Sequence, residues 1–331
     1  MLMKSNDPIS ELQKLLFNKL ELMDQLFSKM MESENAPRIP EITKHIFDSG
    51  GKKLRPLLCI ASAEALNYKS NKHILLAATI EFIHTATLLH DDVVDESLTR
   101  RGKKTANLLW DNKSSILVGD FLFSRAFQLM VSTNSLKVLK VLSSTAAFIS
   151  ESEVLQLTNI RNVNIDLKTY FKIIEGKTAA LFSAACETGA MISTKNLKHI
   201  ESFKSFGKSI GICFQLIDDY LDYTGETKIM GKSVGDDFFN SKLTYPIILT
   251  LKKGDKVDTD KIKKLFQKSN KSQNDLSTLL EILDRYDALE KTKIEAIKWS
   301  KLARDSLQTI PQSSIKNLLE EISNYIISRT S

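Results

Sequence analysis

From Leu57 through Tyr245 the chain contains no proline, and between Asp120 and Glu175 it contains no glycine. Proline breaks the helical hydrogen-bond ladder and glycine loses the most backbone entropy on ordering, so a stretch this poor in both lets long helices run without interruption. Apolar residues there recur at three- and four-residue spacing, as in Ile74, Ala77, Ala78, Phe82, Leu88 and Leu89, with no sustained strand-like alternation. The spacing predicts an all-α chain. Pro37 and Pro40 set off an N-terminal amphipathic packing helix within residues 1–36, and Gly50, Gly51 and Pro56 punctuate the next two helices. Residues 252–277, rich in Lys, Asp, Ser and Asn, read as a polar connection before the final helices, not as a domain boundary. No internal repeat interrupts this reading. A single domain over residues 1–331 is expected, a bundle of roughly a dozen helices around one core.

Hydrophobic residues make up 42% of the chain and charged residues 26%, a globular balance unlike that of a disordered or membrane-embedded protein. The net charge of +6 is spread along the chain without a basic arm, which argues against nucleic acid as a partner and for mostly solvated helix faces. Cys59, Cys186 and Cys213 are odd in number, far apart and free of CxxC pairing, so neither a disulfide framework nor a zinc site is supported. A reducing compartment follows. The opening MLMKSNDPISELQKLL has no apolar leader core, and no uncharged apolar run reaches about 18 residues, so a cytoplasmic location is expected.

The chemistry lies in two acidic segments. LLHDDVVDESLTRRG places Asp91, Asp92 and Asp95 at the end of an apolar helix, and FQLIDDYLDYTG repeats the DDxxD pattern with Asp218, Asp219 and Asp222. In each copy the first and last aspartates are four apart and share a helix face, so carboxylates gather at the helix's negative end and repel one another. One such copy is easily a solvated helix end. Two copies, each after an apolar run, point instead to oxygen ligation of Mg²⁺ bridging to phosphate oxygens.

These two segments resemble the aspartate-rich motifs of trans-isoprenyl diphosphate synthases. The likeness extends to GGKKLRP at Gly50–Pro56, GD at Gly119 and Asp120, KTA at Lys177–Ala179 and GKSVGDD at Gly231–Asp237. The wording IEFIHTATLLHDDVVDES is similar to the long-chain group, bacterial octaprenyl diphosphate synthases in particular. The resemblance implies the isoprenoid synthase fold with a central substrate tunnel. It also implies a Mg²⁺-dependent prenyltransferase that adds isopentenyl diphosphate head to tail to an allylic diphosphate, farnesyl or geranyl, as in making a ubiquinone side chain.

By the same resemblance, Asp91 and Asp95 ligate two Mg²⁺ ions and Asp218 a third, with Asp92, Asp219 and Asp222 in support. Lys177, Lys232, Lys242 and Arg100 match the cations that hold the allylic diphosphate, while Thr178 and Gln215 match groups whose oxygens face the developing cation. Lys52, Arg55, His84 and Arg101 match a metal-free site for isopentenyl diphosphate, where guanidinium forks suit diphosphate oxygens. His90 carries no such match and reads as structural. The resemblance further implies a homodimer and makes the departing diphosphate the acceptor of the final proton. Release of a long apolar product suggests transient membrane contact.

The growing tail is expected to run down the helix that carries Asp91, past Thr87, Ala86, Ile83 and Ile80. One helical turn rises about 5.4 Å, comparable with an isoprene unit, so bulk one turn below the aspartates stops growth early. Ala86 and Thr87 are small and predict a long product, near eight units, and the resemblance to octaprenyl synthases implies Met130 and Leu142 as candidates for the tunnel floor. Ser241 and Leu243 depart from the Gly and Pro that commonly flank the lysine in the long-chain pattern, which implies a less rigid Lys242 loop. Other readings are a shorter-chain farnesyl or geranylgeranyl synthase, a class I terpene cyclase, a head-to-head synthase, and a subunit of a hetero-oligomeric synthase. The second DDxxD and the GGKKLRP segment weigh against the cyclase and the head-to-head enzyme, and the retained acidic and basic sets weigh against a non-catalytic subunit. Ala86→Phe is expected to shorten the product mixture. Chromatography showing an unchanged chain length would refute the tunnel assignment.

Overall fold

The computed structural model describes residues 7–225 and 234–328. In chain order its helices are α1 (Pro8–Leu15), α2 (Phe17–Met31), α3 (Arg38–Phe47), α4 (Leu54–Glu64) and α5 (Lys72–Val94). There follow α6 (Ala106–Leu109), α7 (Asn112–Ser132), α8 (Leu136–Thr158), α9 (Leu167–Ile174), α10 (Ala180–Ser193) and α11 (Leu197–Thr224). The remainder are α12 (Asp236–Phe239), α13 (Tyr245–Lys253), α14 (Lys256–Gln267), α15 (Gln273–Arg285), α16 (Ala288–Ser306) and α17 (Ser314–Ser328). Side-chain caps start many of them. Asp7, Asp111, Ser135, Asp166, Asn196 and Asp255 each accept a first-turn amide, and Ser272 forms a reciprocal capping box with Asp275.

The architecture is all-α, as the proline-free stretch predicts. One hydrophobic core extends from Ile9 to Ile326. Its centre is α5, which packs against α2, α4, α7 and α10, and α11, which packs against α10, α16 and α17. Because α5 meets neighbours on so many sides, its residues from Ile74 to Leu89 are apolar almost all round rather than on one stripe. These two helices carry the aspartates at their C-terminal ends.

Two expectations need correction. The polar stretch 252–277 holds α14 and the start of α15, and buries Ile262, Leu265, Phe266 and Leu276. Its dense charge hides a sparse apolar stripe at helical spacing. The N-terminal packing segment is two helices rather than one, broken at Leu16, whose φ of −105° and ψ of 16° leave the helical region. Both halves still bury an apolar face, through Ile9, Leu12, Met23 and Phe27.

Among the described residues the only β structure is a two-stranded hairpin, β1 (Thr99–Arg100) and β2 (Lys103–Lys104), pairing Thr99 with Lys104 and Arg100 with Lys103. Its turn residues Arg101 and Gly102 have φ of 51° and 75°, the doubly left-handed turn that suits the twist of a hairpin. Between α9 and α10 the ladder widens into a π-turn over Glu175–Ala179, a local irregularity that often marks function. Gly211 on α11 lets that turn approach closely, since a Cβ there would lie 2.4 Å from the Ala179 Cα. Gly211→Ala is therefore expected to lower stability by about 1–3 kcal/mol through overpacking. Thermal unfolding measures this, and an unchanged melting temperature would show that the contact is not tight.

Candidate active site

The two DDxxD helices converge on one cavity of about 270 Å³, whose wall includes Asp91, Asp95, Asp218, Asp219, Lys177 and Lys242. Lys177 Nζ lies 2.8 Å from Glu153 Oε2 and 3.8 Å from Asp91 Oδ2, and Lys242 Nζ lies 2.8 Å from Asp95 Oδ2. Arg100 reaches back from the hairpin to the buried Asp92, with Nε at 2.9 Å and Nη2 at 2.7 Å from Oδ1. The cavity is thus an acidic bowl with cations around its rim.

The second cluster is braced from behind. Asp219 accepts hydrogen bonds from the Tyr170 hydroxyl at 2.5 Å, the Gln215 amide at 3.0 Å and the Tyr245 backbone N–H at 3.3 Å. The Thr178 hydroxyl donates to Gln215 Oε1 at 2.8 Å, so Thr178, Gln215 and Asp219 form one chain along the cavity wall. Asp222 does not line the cavity; it accepts the Asp237 N–H at 3.2 Å, and Asp237 takes the place on the wall. The π-turn presents both Lys177 and Thr178 to the cavity, although neighbouring residues of a regular helix point about 100° apart.

Burial and like charge set the acidity. Burial and then the nearby Asp237 push the Asp219 carboxyl up to about 7 and that of Asp222 up to about 8. Burial also raises Asp91 and Glu153, against the pull of Lys177. These groups share a space in which further positive charge is favoured.

A smaller cavity of about 110 Å³ adjoins the first and is lined by Lys52, Arg55, Glu81, His84 and Arg101. Arg55, His84 and Leu88 line both cavities and form the wall between them. The Arg55 guanidinium stacks over the Phe182 ring at 4.4 Å, and its Nη1 lies 3.2 Å from His84 Nε2. Burial, with Arg55 and Arg101 alongside, drives His84 well below the usual imidazole range, so the ring is neutral and its Nε2 accepts from Arg55. Gly51 has a φ of 139°, and a Cβ there would stand 2.5 Å from Arg101 Nη1. A side chain at this φ is strained, and its Cβ would force the Arg101 guanidinium to shift.

Most of the sequence-predicted residues therefore assemble into two adjoining pockets. Lys232 lies outside the described residues. Thr87 lines the large cavity, whereas Ala86, Met130 and Leu142 are fully buried in the core and lie outside its lining. His90 sits against Gly119, with Nε2 at 3.2 Å from the Ile116 carbonyl, and takes no part in either pocket.

The match to known proteins agrees with this geometry. Residues 36–283 match the polyprenyl synthetase family. The chain belongs to that family. It is 37% identical over 320 residues to the octaprenyl diphosphate synthase of Escherichia coli (strain K12), covering 94% of this chain and 99% of the relative. Its structure is similar to that of a decaprenyl diphosphate synthase from Rhodobacter capsulatus, with a TM-score of 0.94, 43% identity, and 98% and 99% of the two chains covered. It is also similar to a polyprenyl synthase from Caulobacter crescentus complexed with calcium and isoprenyl diphosphate, with a TM-score of 0.93, 37% identity and 98% of each chain covered.

Members of the polyprenyl synthetase family use divalent metal, and the donor set here fits one. Among the described residues no three acidic, histidine or cysteine side chains converge to cage an ion by themselves. A divalent cation that takes one or two carboxylates and completes its shell with water and phosphate oxygens needs no such cage. Asp91, Asp95, Asp218, Asp219 and Asp237 line the cavity, Asp91 and Asp95 beside Lys177 and Lys242, whereas Asp92 and Asp222 lie outside its lining.

Sequence reading missed Glu81, Glu153, Tyr170 and Asp237. Glu81 carried a usable signal, a lone acid three residues before His84 in an apolar helix. Glu153 and Tyr170 carried none, because their roles depend on which helices become neighbours. Asp237 stands in the GKSVGDD motif, but only the fold turns it toward Asp219 and Asp222.

Asp219 and Asp222 hold protons more tightly folded than unfolded, where a carboxyl titrates near 4. Their stabilising contribution is full below pH of about 4 and is lost as pH rises through about 7 and about 8. In chelator, the thermal stability of Asp237→Asn is expected to fall less than that of the parent over this range. Parallel pH profiles for the two proteins would refute the coupling.

Proposed function

We propose that this long-chain trans-polyprenyl diphosphate synthase extends farnesyl or geranyl diphosphate by successive isopentenyl units to a product near eight units, C40. The observation that carries the reading is the pair of unlike anion sites divided by Arg55, His84 and Leu88. One is rich in carboxylates and takes its diphosphate through divalent metal; the other is rich in guanidinium and takes its diphosphate directly.

In this reading Asp91, Asp95 and Asp218 hold three Mg²⁺ ions, and Asp92, Asp219 and Asp222 keep the helix ends in place. The metal supplies positive charge that stabilises the departing diphosphate. Lys177, Lys242 and Arg100, with Lys232, bind and orient the allylic diphosphate. Its C–O bond breaks with the electron pair leaving on oxygen, and the Thr178 and Gln215 oxygens face the allylic cation. Lys52, Arg55, His84 and Arg101 hold isopentenyl diphosphate so that its double bond attacks that cation, forming the new C–C bond. A C2 proton then passes to an oxygen of the released diphosphate. Exclusion of water is essential to the cation, and both pockets are closed on the core side by apolar residues such as Ile173, Ile174 and Phe182.

Thr87, on the cavity wall one helical turn before Asp91, sets no aromatic barrier there, and Ala86 beside it in the core is small, which supports a long product. Among the described residues two helices, α5 and α7, are long and apolar enough to cross a membrane, but α5 is largely enclosed by its neighbours. α7 instead exposes Leu117, Phe127 and Val131, and α8 exposes Leu136 and Val154. Apolar exposure of this extent on adjacent helices supports burial against a second copy in a homodimer. A cytoplasmic site and brief membrane contact for product release complete the reading.

Purified chain incubated with labelled farnesyl diphosphate, isopentenyl diphosphate and Mg²⁺ is expected to yield a ladder of dephosphorylated alcohols ending near eight units. Asp91→Asn is expected to reduce the rate by about a hundredfold or more, and chelator to abolish it. A cyclic hydrocarbon, or no elongation by active-site-titrated protein, would overturn the reading.

A further inference from the structure

Ser241 precedes Lys242 and has a φ of 58°, the left-handed region that suits glycine and strains other residues. All its polar groups are engaged: its N–H donates to the Phe238 carbonyl at 3.0 Å, its carbonyl accepts the Arg161 N–H at 3.1 Å, and its hydroxyl accepts from Lys271 Nζ. Lys271 Nζ also reaches the Phe239 carbonyl at 3.3 Å, and lies over the rings of Phe238 at 5.2 Å and Phe266 at 5.7 Å. A lysine between two surface helices has every reason to point into water. This one is drawn inward instead.

Its own backbone is fixed by the neighbouring capping box, in which Ser272 and Asp275 bind each other's amides. From Ser241 the chain continues to Lys242, whose N–H donates to the Asp237 carbonyl at 2.8 Å and whose Nζ lies 2.8 Å from Asp95 Oδ2. Lys271 thus stands at the far end of a short relay, two residues' worth of backbone from a cation on the cavity rim.

We propose that Lys271 is a positioning residue: by engaging the Ser241 hydroxyl and the Phe239 carbonyl, it holds residue 241 in the left-handed turn that aims Lys242 at the acidic cavity. The proposal rests on the reading of that cavity as the allylic diphosphate site. Glycine at 241 adopts the turn without strain, so it makes the lysine dispensable. The effect of Lys271 is therefore conditional on the residue at 241, which no general loss of stability reproduces.

The test is a double-mutant cycle on the purified full chain. Lys271→Met is expected to raise the KM for the allylic diphosphate about tenfold and leave that for isopentenyl diphosphate unchanged. In the Ser241→Gly background the same change is expected to cost less than about twofold. Hydrogen exchange of the Lys242 amide, which needs no substrate, should speed up in Lys271→Met and return to its slower rate in the double variant. An unchanged allylic KM, an equal loss in both backgrounds, or a matching rise in both KM values would overturn the proposal. Failure of the parent to elongate would overturn the functional reading alone, and the exchange measurement would then decide the role of Lys271.

Discussion

Everything else in the structure is arranged around the repulsion among carboxylates gathered at the C-terminal ends of α5 and α11. Two helix termini that already carry partial negative charge bring Asp91, Asp95, Asp218 and Asp219 to one cavity, where Asp237 joins them on the wall and Asp222 lies close behind. Withdrawing ions from water costs several kcal/mol each, and a mostly buried pair repays that only when its geometry and its remaining hydrogen bonds are good. The lysines at the rim therefore do not make the site a stabilising element. Its existence depends on the apolar core around α5, α10 and α11, which supplies the surplus, and on directed donors such as Tyr170, Gln215 and Arg100, which leave the bracing carboxylates little freedom.

The hairpin after α5 explains how two substrates of similar charge find different places. Arg100 and Arg101 are adjacent in sequence, yet Arg100 turns back to Asp92 while Arg101 stands over Gly51 in the smaller cavity. The doubly left-handed turn separates them. One pair of neighbouring arginines thus serves both anion sites, and the sites stay in contact through the Arg55–His84 wall. In the smaller cavity Glu81 sits among Arg55, Lys53 and Arg101, and burial raises its carboxyl against their pull. Its charge offsets a cluster of cations that would otherwise repel one another, while the neutral His84 adds a polar group without adding charge.

Sequence reading succeeded where chemistry is local and failed where it depends on tertiary neighbours. The DDxxD spacing marks the carboxylates that gather at the helix ends, whereas the basic pocket of Lys52, Arg55, His84 and Arg101 is legible only through the family resemblance, and the close approach of Arg101 to Gly51 appears only in the fold. Glu153 and Tyr170 could not, because α8 and α9 meet the aspartates only after packing. The mistaken polar connection at 252–277 has a similar cause: Ile262, Leu265 and Phe266 are few among many lysines, and they matter only because the core offers them a surface. Thr87 reached the cavity wall while Ala86 turned into the core, a difference of one residue on a helix that spacing alone resolves poorly.

The irregular backbone follows the same division. Lys53, Arg101 and Ser241 adopt positive φ without being glycine, and each stands in or beside one of the two cavities. The π-turn at Glu175–Ala179 interrupts an otherwise helical run where Lys177 and Thr178 must both face inward. Local preference opposes each of these conformations by about 1–3 kcal/mol, so each persists only because tertiary contacts hold it: Arg101 in the gap left by Gly51, the π-turn against Gly211, Ser241 between Arg161 and Lys271. The aspartates mark the site in the sequence because their spacing is regular. The cations that complete it are placed by departures from regularity, and those departures are stable only in the finished fold.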